Sequence, residues 1–488
     1  MEYTELADYP LPAGSLTAWV PEADPAAWTD DPRRLSYMHV EHATRAAAEG
    51  DAWYSQWIGT AFLIESPLDH DALAGTMKRW YARHEAFRSS VIADDDHRLR
   101  RTTVPADAIS VTSRPMGENL ASTEVFEQIN EYFNTTVSPL AWPHCIAITV
   151  DLEDRADAFL LVFAADHTVM DAYTQVFAIK ELTAIYEAAL RGEQDNLPEF
   201  GSYVDFSDAE RELGDQIRHT DAAVALWSQF FAAADPESPQ PAPMPTFPEQ
   251  IASTGSAAPA IVAERTPDHG FQATLSSWLL DAAETKAFHA LCKDAGANMQ
   301  AGIYTALSMT ASRLSGNADL RFLNPIHTRS EVKWGEAAGW FVGLIPVHLR
   351  PQGATTFREA IGPIASSAAD YRKVGAAPFT PVADLIGGDT TPPGFVVSYI
   401  DLRHAEGADD WDRRQARVLR SATRAADEVY FWINRVPGGT NISARFPTGA
   451  EAEGVHRFIS TFQQILKTVI ADGDLAYAHV TADASSPS

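Results

Sequence analysis

The sequence predicts an α/β protein made of two halves of similar size. Three features carry that expectation. The chain has 488 residues, more than one simple hydrophobic core usually serves. Residues 234–270, which include Asp235-Pro236-Glu237-Ser238-Pro239-Gln240-Pro241-Ala242-Pro243, are rich in Pro, Ser, Thr and Ala and lack apolar periodicity. They read as a linker or long exposed loop between residues 1–233 and 271–488. On each side of it, short apolar runs of strand length alternate with segments whose apolar residues recur at helical spacing.

In the first half, Leu73, Met77, Trp80, His84 and Phe87 recur every three or four residues, with Asp69 or Asp71 as N-cap. Residues 87–104 read as a hairpin turning at Asp94-Asp95-Asp96. Residues 145–150 and 159–163 read as a strand pair joined through Glu153-Asp154-Arg155. From Asp171 the spacing is helical, with Val176, Ile179, Leu182, Tyr186 and Leu190 on one face and Gly192 as the stop. In the second half, helices over 281 to about 295 and over 298–314 end at Gly296 and at Ser315-Gly316. Strand-like runs follow at 320–323 and 341–349. A late hairpin joins 429–436 to 441–446 through Pro437-Gly438-Gly439-Thr440. Two α/β halves joined by a linker suggest a pseudo-symmetric pair, and clefts between domains are favoured ligand sites.

The formal net charge of −29 argues against a nucleic-acid partner and against an anionic lipid surface. A local basic cluster can still receive an anionic substrate. Two cysteines, Cys145 and Cys292, cannot form a disulfide framework. One lies in an expected strand and the other beside Leu291 on an expected helix, so both read as buried packing residues. The start, Met1-Glu2-Tyr3-Thr4-Glu5, lacks the layout of a signal peptide. The longest uninterrupted apolar stretch, 158–165, is too short for a transmembrane segment. The expectation is a cytoplasmic enzyme.

The chemistry centres on Ala165-Asp166-His167-Thr168-Val169-Met170-Asp171-Ala172, where an apolar strand gives way to an amphipathic helix. Such junctions set polar side chains at the rim of a sheet. A histidine there can act as a general base near neutral pH. Spacing alone says little. With 15 His and 66 acidic residues, about two His-x-x-x-acid pairs arise by chance. Two are present, His167/Asp171 and His327/Glu331, so a satisfied structural histidine fits the spacing as well. No metal is expected, because no second histidine stands at ligand-like spacing near Asp166, His167 and Asp171. His84 lies on the apolar stripe and reads as core. No Gly-rich phosphate loop is present.

Several segments in order resemble the condensation-domain superfamily, and within it the polyketide-associated acyltransferases that esterify sugars in complex glycolipids. The superfamily's His-His-x-x-x-Asp-Gly motif corresponds to Asp166-His167-Thr168-Val169-Met170-Asp171-Ala172. Arg83-His84-Glu85-Ala86-Phe87-Arg88-Ser89 is similar to its Arg-His-Glu-x-Leu-Arg-Thr segment, and Tyr203-Val204-Asp205-Phe206 to its Tyr-x-Asp-Phe/Tyr signature. Gly339-Trp340-Phe341-Val342-Gly343-Leu344-Ile345-Pro346 resembles Gly-x-Phe-Val-Asn-Thr. Pro378-Phe379 with Val382 and Leu385 resembles Pro-Phe-x-x-Leu/Val-x-x-Leu. The likeness runs from about Ser36 to Phe446.

The resemblance implies the chloramphenicol acetyltransferase-like fold, two pseudo-symmetric halves in a V with a tunnel along their interface. It implies His167 as general base and Asp171 as structural support of the motif, pairing with an arginine. Arg329, in Asn324-Pro325-Ile326-His327-Thr328-Arg329, is the expected partner, in an ion pair spanning the halves. Gly339, Phe341 and Gly343 are expected to line the tunnel or bind substrate. The chain departs from the pattern at three positions. Asp166 replaces the first His and is left to orient a neighbour or cap a backbone N–H. Ala172 replaces the closing Gly and loses access to positive φ. Gly343 replaces an Asn and removes any side-chain contact made there.

By the same resemblance, an acyl group moves from a coenzyme A or carrier-protein phosphopantetheine thioester to a hydroxyl acceptor, possibly on a sugar or lipid, with no bound cofactor. The donor's carrier would be a domain of a polyketide or peptide synthase. Two alternatives stay open: a stand-alone condensation enzyme forming an amide with an amine acceptor, and a catalytically inactive homologue that binds a carrier or acyl group.

Overall fold

The computed structural model describes residues 2–477 apart from 51–52, 54–55, 94–97, 233–260, 266–269, 317, 388–389, 391–393 and 425–427. The chain divides into two compact units, neither of them a continuous segment. The first comprises Met1–Gln216, His327–Val342 and Arg403–Arg424; the second comprises Ile217–Ile326, Gly343–Leu402 and Ala425–Ser488.

The first unit is organised by a seven-stranded sheet in the order Tyr3–Glu5, Arg417–Arg420, Trp57–Ile64, Phe159–Asp166, Cys145–Leu152, Gly14–Glu22, Ser110–Leu120. Its central strand, Phe159–Asp166, pairs antiparallel on both sides, with Phe163 opposite Thr60 and Ala147. All eight of its residues are buried. A strand covered on both faces reads as a continuous apolar run rather than an alternating one, which is why 159–163 carries no polar interruption. One face, Leu160, Val162 and Ala164, packs with Val125, Ile129 and Phe133 of the helix Ser122–Thr136. On the other face, Phe163 meets Trp80 of the helix His70–Arg83, and Phe159 meets Tyr186 of the helix Ala172–Leu190. Each such aromatic contributes about 1.5–3 kcal/mol by leaving water.

Asp69, not Asp71, caps the helix His70–Arg83, accepting from the Ala72 N–H at 2.9 Å. The expected hairpin exists as Ser89–Ala93 paired with Leu99–Thr103, and its turn at 94–96 lies outside the described residues. Leu190, expected on the buried face, is exposed: it is the last helical residue, a turn beyond Tyr186, which is fully buried.

The second unit carries its own seven-stranded sheet, ordered Ile261–Arg265, Ala273–Asp281, Gly439–Phe446, Val429–Val436, Phe395–Asp401, Leu320–His327, Val342–Leu349. Ile261–Arg265 falls inside the stretch expected as linker and forms an edge strand on Ala273–Asp281; most of the rest of 234–270 lies outside the described residues. The helices Ala282–Asp294 and Met299–Ser315 start where expected, capped by Asp281 and Asn298. The late hairpin turns more tightly than expected, its strands meeting at Val436 and Gly439. Pro378 precedes the short helix Phe379–Ile386, whose Val382 is buried with Trp227 and Val374.

Candidate active site

Two consecutive caps shape the backbone around His167. Asp166 ends the central strand fully buried and accepts from the N–H and hydroxyl of Thr168 at 2.9 and 2.7 Å, starting the single turn His167–Val169. Asp171 then caps Ala172–Leu190, accepting from the N–H and hydroxyl of Thr174, both at 2.9 Å. Asp and Thr in these places satisfy N–H groups that a helix start leaves unpaired. One turn on, the Gln175 side chain donates to the carbonyls of Gly59 and Leu419, and the Thr60 hydroxyl donates to the Gln175 carbonyl. The helix start is thereby tied to two strands of the sheet. Ala172 is the first residue of that helix and needs no positive φ, so the missing glycine costs the backbone nothing here.

His167 is half-buried on this turn. Its ring stacks on the indole of Trp340, centroids 4.3 Å apart and planes 27° from parallel. Its Nδ1 is buried and bonds no other described residue. Burial first, then the charge of His42, holds its pKa below the ordinary 6.5, against the opposing pull of Asp166, Asp171 and a hydrogen bond to its own backbone. The imidazole is therefore neutral near pH 7, the form that can accept a proton. Asp166 behaves oppositely. Burial disfavours its charge, but the charge and hydrogen bond of His42 and the bonds from Thr168 outweigh that and keep it ionised well below the usual carboxylate range.

His42 was not legible from motif spacing. It sits on the helix Tyr37–Glu49, its Nε2 3.3 Å from Asp166 Oδ2, and its ring lies edge-on to Trp53 and Trp340. A histidine thus stands beside the motif where the family's first His is missing, supplied from 124 residues away in the chain. No group of three or more His, Cys, Asp or Glu suited to a metal occurs among the described residues.

Arg329 pairs with Asp171: Nη2 reaches Oδ1 at 3.0 Å and Nη1 bonds Oδ2. Both residues lie in the first unit, because the segment His327–Val342 belongs to it; the pair does not span the two units. Phe341 donates its N–H to Asp171 Oδ2 at 3.1 Å and is fully buried against Tyr203, Phe206 and the Arg329 guanidinium. Gly339 has φ +154, and a Cβ there would lie 2.3 Å from the Tyr203 ring. Only glycine suits that conformation and that gap. Gly343 lies in the strand Val342–Leu349 of the second unit, half-buried.

The remaining signature residues buttress one another. Glu181 receives Arg83, His84 and Trp80, and His84 Nδ1 accepts from the Ala338 N–H at 3.3 Å. His84 is core, as its position on the apolar stripe suggests, and it also supports the Trp340 segment. Glu85 and Asp205 share Arg33, and the Tyr203 hydroxyl bonds Ser36. Both cysteines are buried, which pushes Cys292 up to about 12 and Cys145 higher still.

The condensation-domain family profile matches residues 49–482. The chain belongs to the condensation-domain family. This family member is 24% identical over 486 residues to the acyltransferase PapA3 of Mycobacterium tuberculosis, covering 96% of each chain. It is 25% identical over 406 residues to the trehalose-2-sulfate acyltransferase PapA2 of Mycobacterium bovis, covering 81% of this chain and 80% of that one. Among solved structures it is similar to a PapA2 acyl transferase, with TM-score 0.80 and 19% identity over 96% of this chain and 100% of that one. It is also similar to the condensation domain of the Monacolin K polyketide synthase MokA, with TM-score 0.68 and 16% identity over 93% and 99%. Its fold is the chloramphenicol acetyltransferase-like α/β fold, and at the level of the family this condensation-domain chain is an acyltransferase. Among the described residues no helix is long and apolar enough to cross a membrane.

Proposed function

We propose that this chain transfers an acyl group from a thioester, on coenzyme A or on the phosphopantetheine arm of a carrier domain, to a hydroxyl acceptor, with His167 as general base. The observation that supports this most is the placement of His167: a half-buried imidazole on a doubly capped turn at the end of a central strand, where burial favours its neutral form. With Nδ1 buried, Nε2 is the nitrogen assigned to substrate.

Nε2 takes the acceptor's proton as its oxygen attacks the thioester carbonyl. The carbonyl electrons move onto oxygen, and backbone N–H groups at the positive end of the helix Ala172–Leu190 stabilise that oxyanion. The intermediate collapses, the C–S bond breaks, and the imidazolium returns its proton to the leaving thiolate. Asp171 and Arg329 hold the loop and take no proton. The names of the relatives favour a sugar hydroxyl as acceptor, since one is a trehalose-2-sulfate acyltransferase.

The test is intact-mass detection of products from a panel of acyl thioesters of increasing chain length, presented both on coenzyme A and on a phosphopantetheinylated carrier domain, each offered with trehalose-type sugars, lipid alcohols and amines. An ester mass with a hydroxyl acceptor is expected. Amides alone would mark a stand-alone condensation enzyme. Tight acyl-thioester binding with no product from any pair would mark an inactive homologue.

A further inference from the structure

We propose that Trp340 is the positioning residue that holds the His167 imidazole in its working orientation, and that Asp171 acts on His167 through it. This rests on His167 being the base. A histidine base is commonly oriented by a hydrogen bond at its second nitrogen. Among the described residues no other residue bonds His167 Nδ1, the ring's one hydrogen-bonding interaction being with its own backbone, and both oxygens of Asp171 are engaged by Arg329, Thr174 and Phe341. What the ring does have is an indole lying almost flat on it at 4.3 Å.

Trp340 is itself held firmly. It lies outside helix and strand, so its place depends on specific bonds to the neighbouring backbone. They occur on both sides of it. The Ala337 carbonyl accepts from Arg329 Nη2 at 3.0 Å, the Ala338 N–H donates to His84 Nδ1 at 3.3 Å, and the Gly339 N–H donates to the Thr174 hydroxyl at 3.4 Å. On the far side, the Phe341 N–H donates to Asp171 Oδ2 at 3.1 Å and its carbonyl accepts from the Thr328 N–H at 2.9 Å. The indole is flanked in turn by His42, edge-on at 5.7 Å. The Asp171–Arg329 pair therefore fixes the backbone that lays Trp340 over the imidazole. A flat neighbour restricts rotation about the histidine χ angles, and its attraction strengthens as the ring becomes imidazolium during proton transfer.

The experiment combines proton NMR of the histidine-labelled full-length chain with steady-state rates. The His167 ring protons, assigned by their loss in His167→Gln, should lie upfield in the wild type because of the indole ring current. That shift should vanish in Trp340→Leu and persist in part in Trp340→Phe. Turnover of Trp340→Leu should fall about tenfold or more with the donor KM changed less than about twofold, and Trp340→Phe should recover most of it. Thr174→Val, which loosens Gly339 but keeps the indole, should lose both shift and rate to a smaller degree, and it decides the matter by the same readouts should the leucine variant not fold. Unshifted ring protons in an active, His167-dependent enzyme would overturn the stack alone, as would wild-type turnover in a variant that has lost the shift. Full turnover in His167→Gln would overturn the base and this proposal with it.

Discussion

Asp171 and Arg329 form a bidentate ion pair whose side chains are only 1% and 4% exposed. The carboxylate of the motif is thus committed to an arginine 158 residues away, not to the histidine four residues before it. It also caps a helix and receives the Phe341 N–H. Asp171 is a structural hub beside His167.

Removing one partner leaves a buried charge unpaired, which costs about 3–5 kcal/mol. Asp171→Ala and Arg329→Ala should each lose stability of that order in denaturant melts, and the double mutant should lose clearly less than their sum. Additive losses would show that the two do not interact.

The lowered pKa of His167 sets a pH profile. Burial and the charge of His42 disfavour its protonated form, so the base is already free at pH 7. The acid limb of kcat/KM should bend below the ordinary histidine value of 6.5 and fall about tenfold per pH unit beneath it. A bend above that value would show that His167 is not the group titrating, or that its surroundings favour the charge.

Glu210 offers a test of stability. Burial pushes its carboxyl up to about 7, only partly offset by the Tyr37 N–H at 3.1 Å and by Arg211. The folded value lies above the unfolded value of about 4.5, so the folded state binds this proton more tightly and loses stability as pH rises through that window. Glu210→Gln keeps an acceptor for Tyr37 and removes the charge. Its Tm should exceed that of the wild type at about pH 8 and match it near pH 5. An equal effect at both would point away from titration.

No covalent acyl-enzyme is expected. Both thiols are buried and held protonated, and no serine sits in a Gly-x-Ser-x-Gly elbow. Donor and acceptor must then be bound together. Double-reciprocal lines should intersect when both substrates are varied, and Cys145→Ala and Cys292→Ala should retain substantial activity. Parallel lines with an acylated side chain that turns over with acceptor would contradict this.

Much of the site was legible where its parts are local. The apolar run 159–163, the polar Asp166-His167 step and the helical spacing after Asp171 lie within one continuous stretch, so strand, turn and helix follow from periodicity and capping. Arg329 came from resemblance, since no local pattern ties it to Asp171. Its place in the same unit has no signal in the sequence, because the second half lends 327–342 to the first unit, a chain crossing that leaves no mark in composition. His42 and Trp340 were missed for a related reason. Their roles arise from packing against Asp166 and His167 across 124 and 173 residues, and hydrophobic periodicity reports which face is buried, not what it meets. Trp340 lies between Gly339 and Phe341, inside the segment that resembles Gly-x-Phe-Val-Asn-Thr.

Replacing the base is the most direct test. His167→Ala should lower turnover by about 10²- to 10⁴-fold, the usual contribution of one general base, while its thermal melt stays close to that of the wild type. The comparison uses the thioester and acceptor pair that gives the wild type its highest rate, with product followed by intact mass. A variant that folds and turns over at nearly the wild-type rate would contradict His167 as the base.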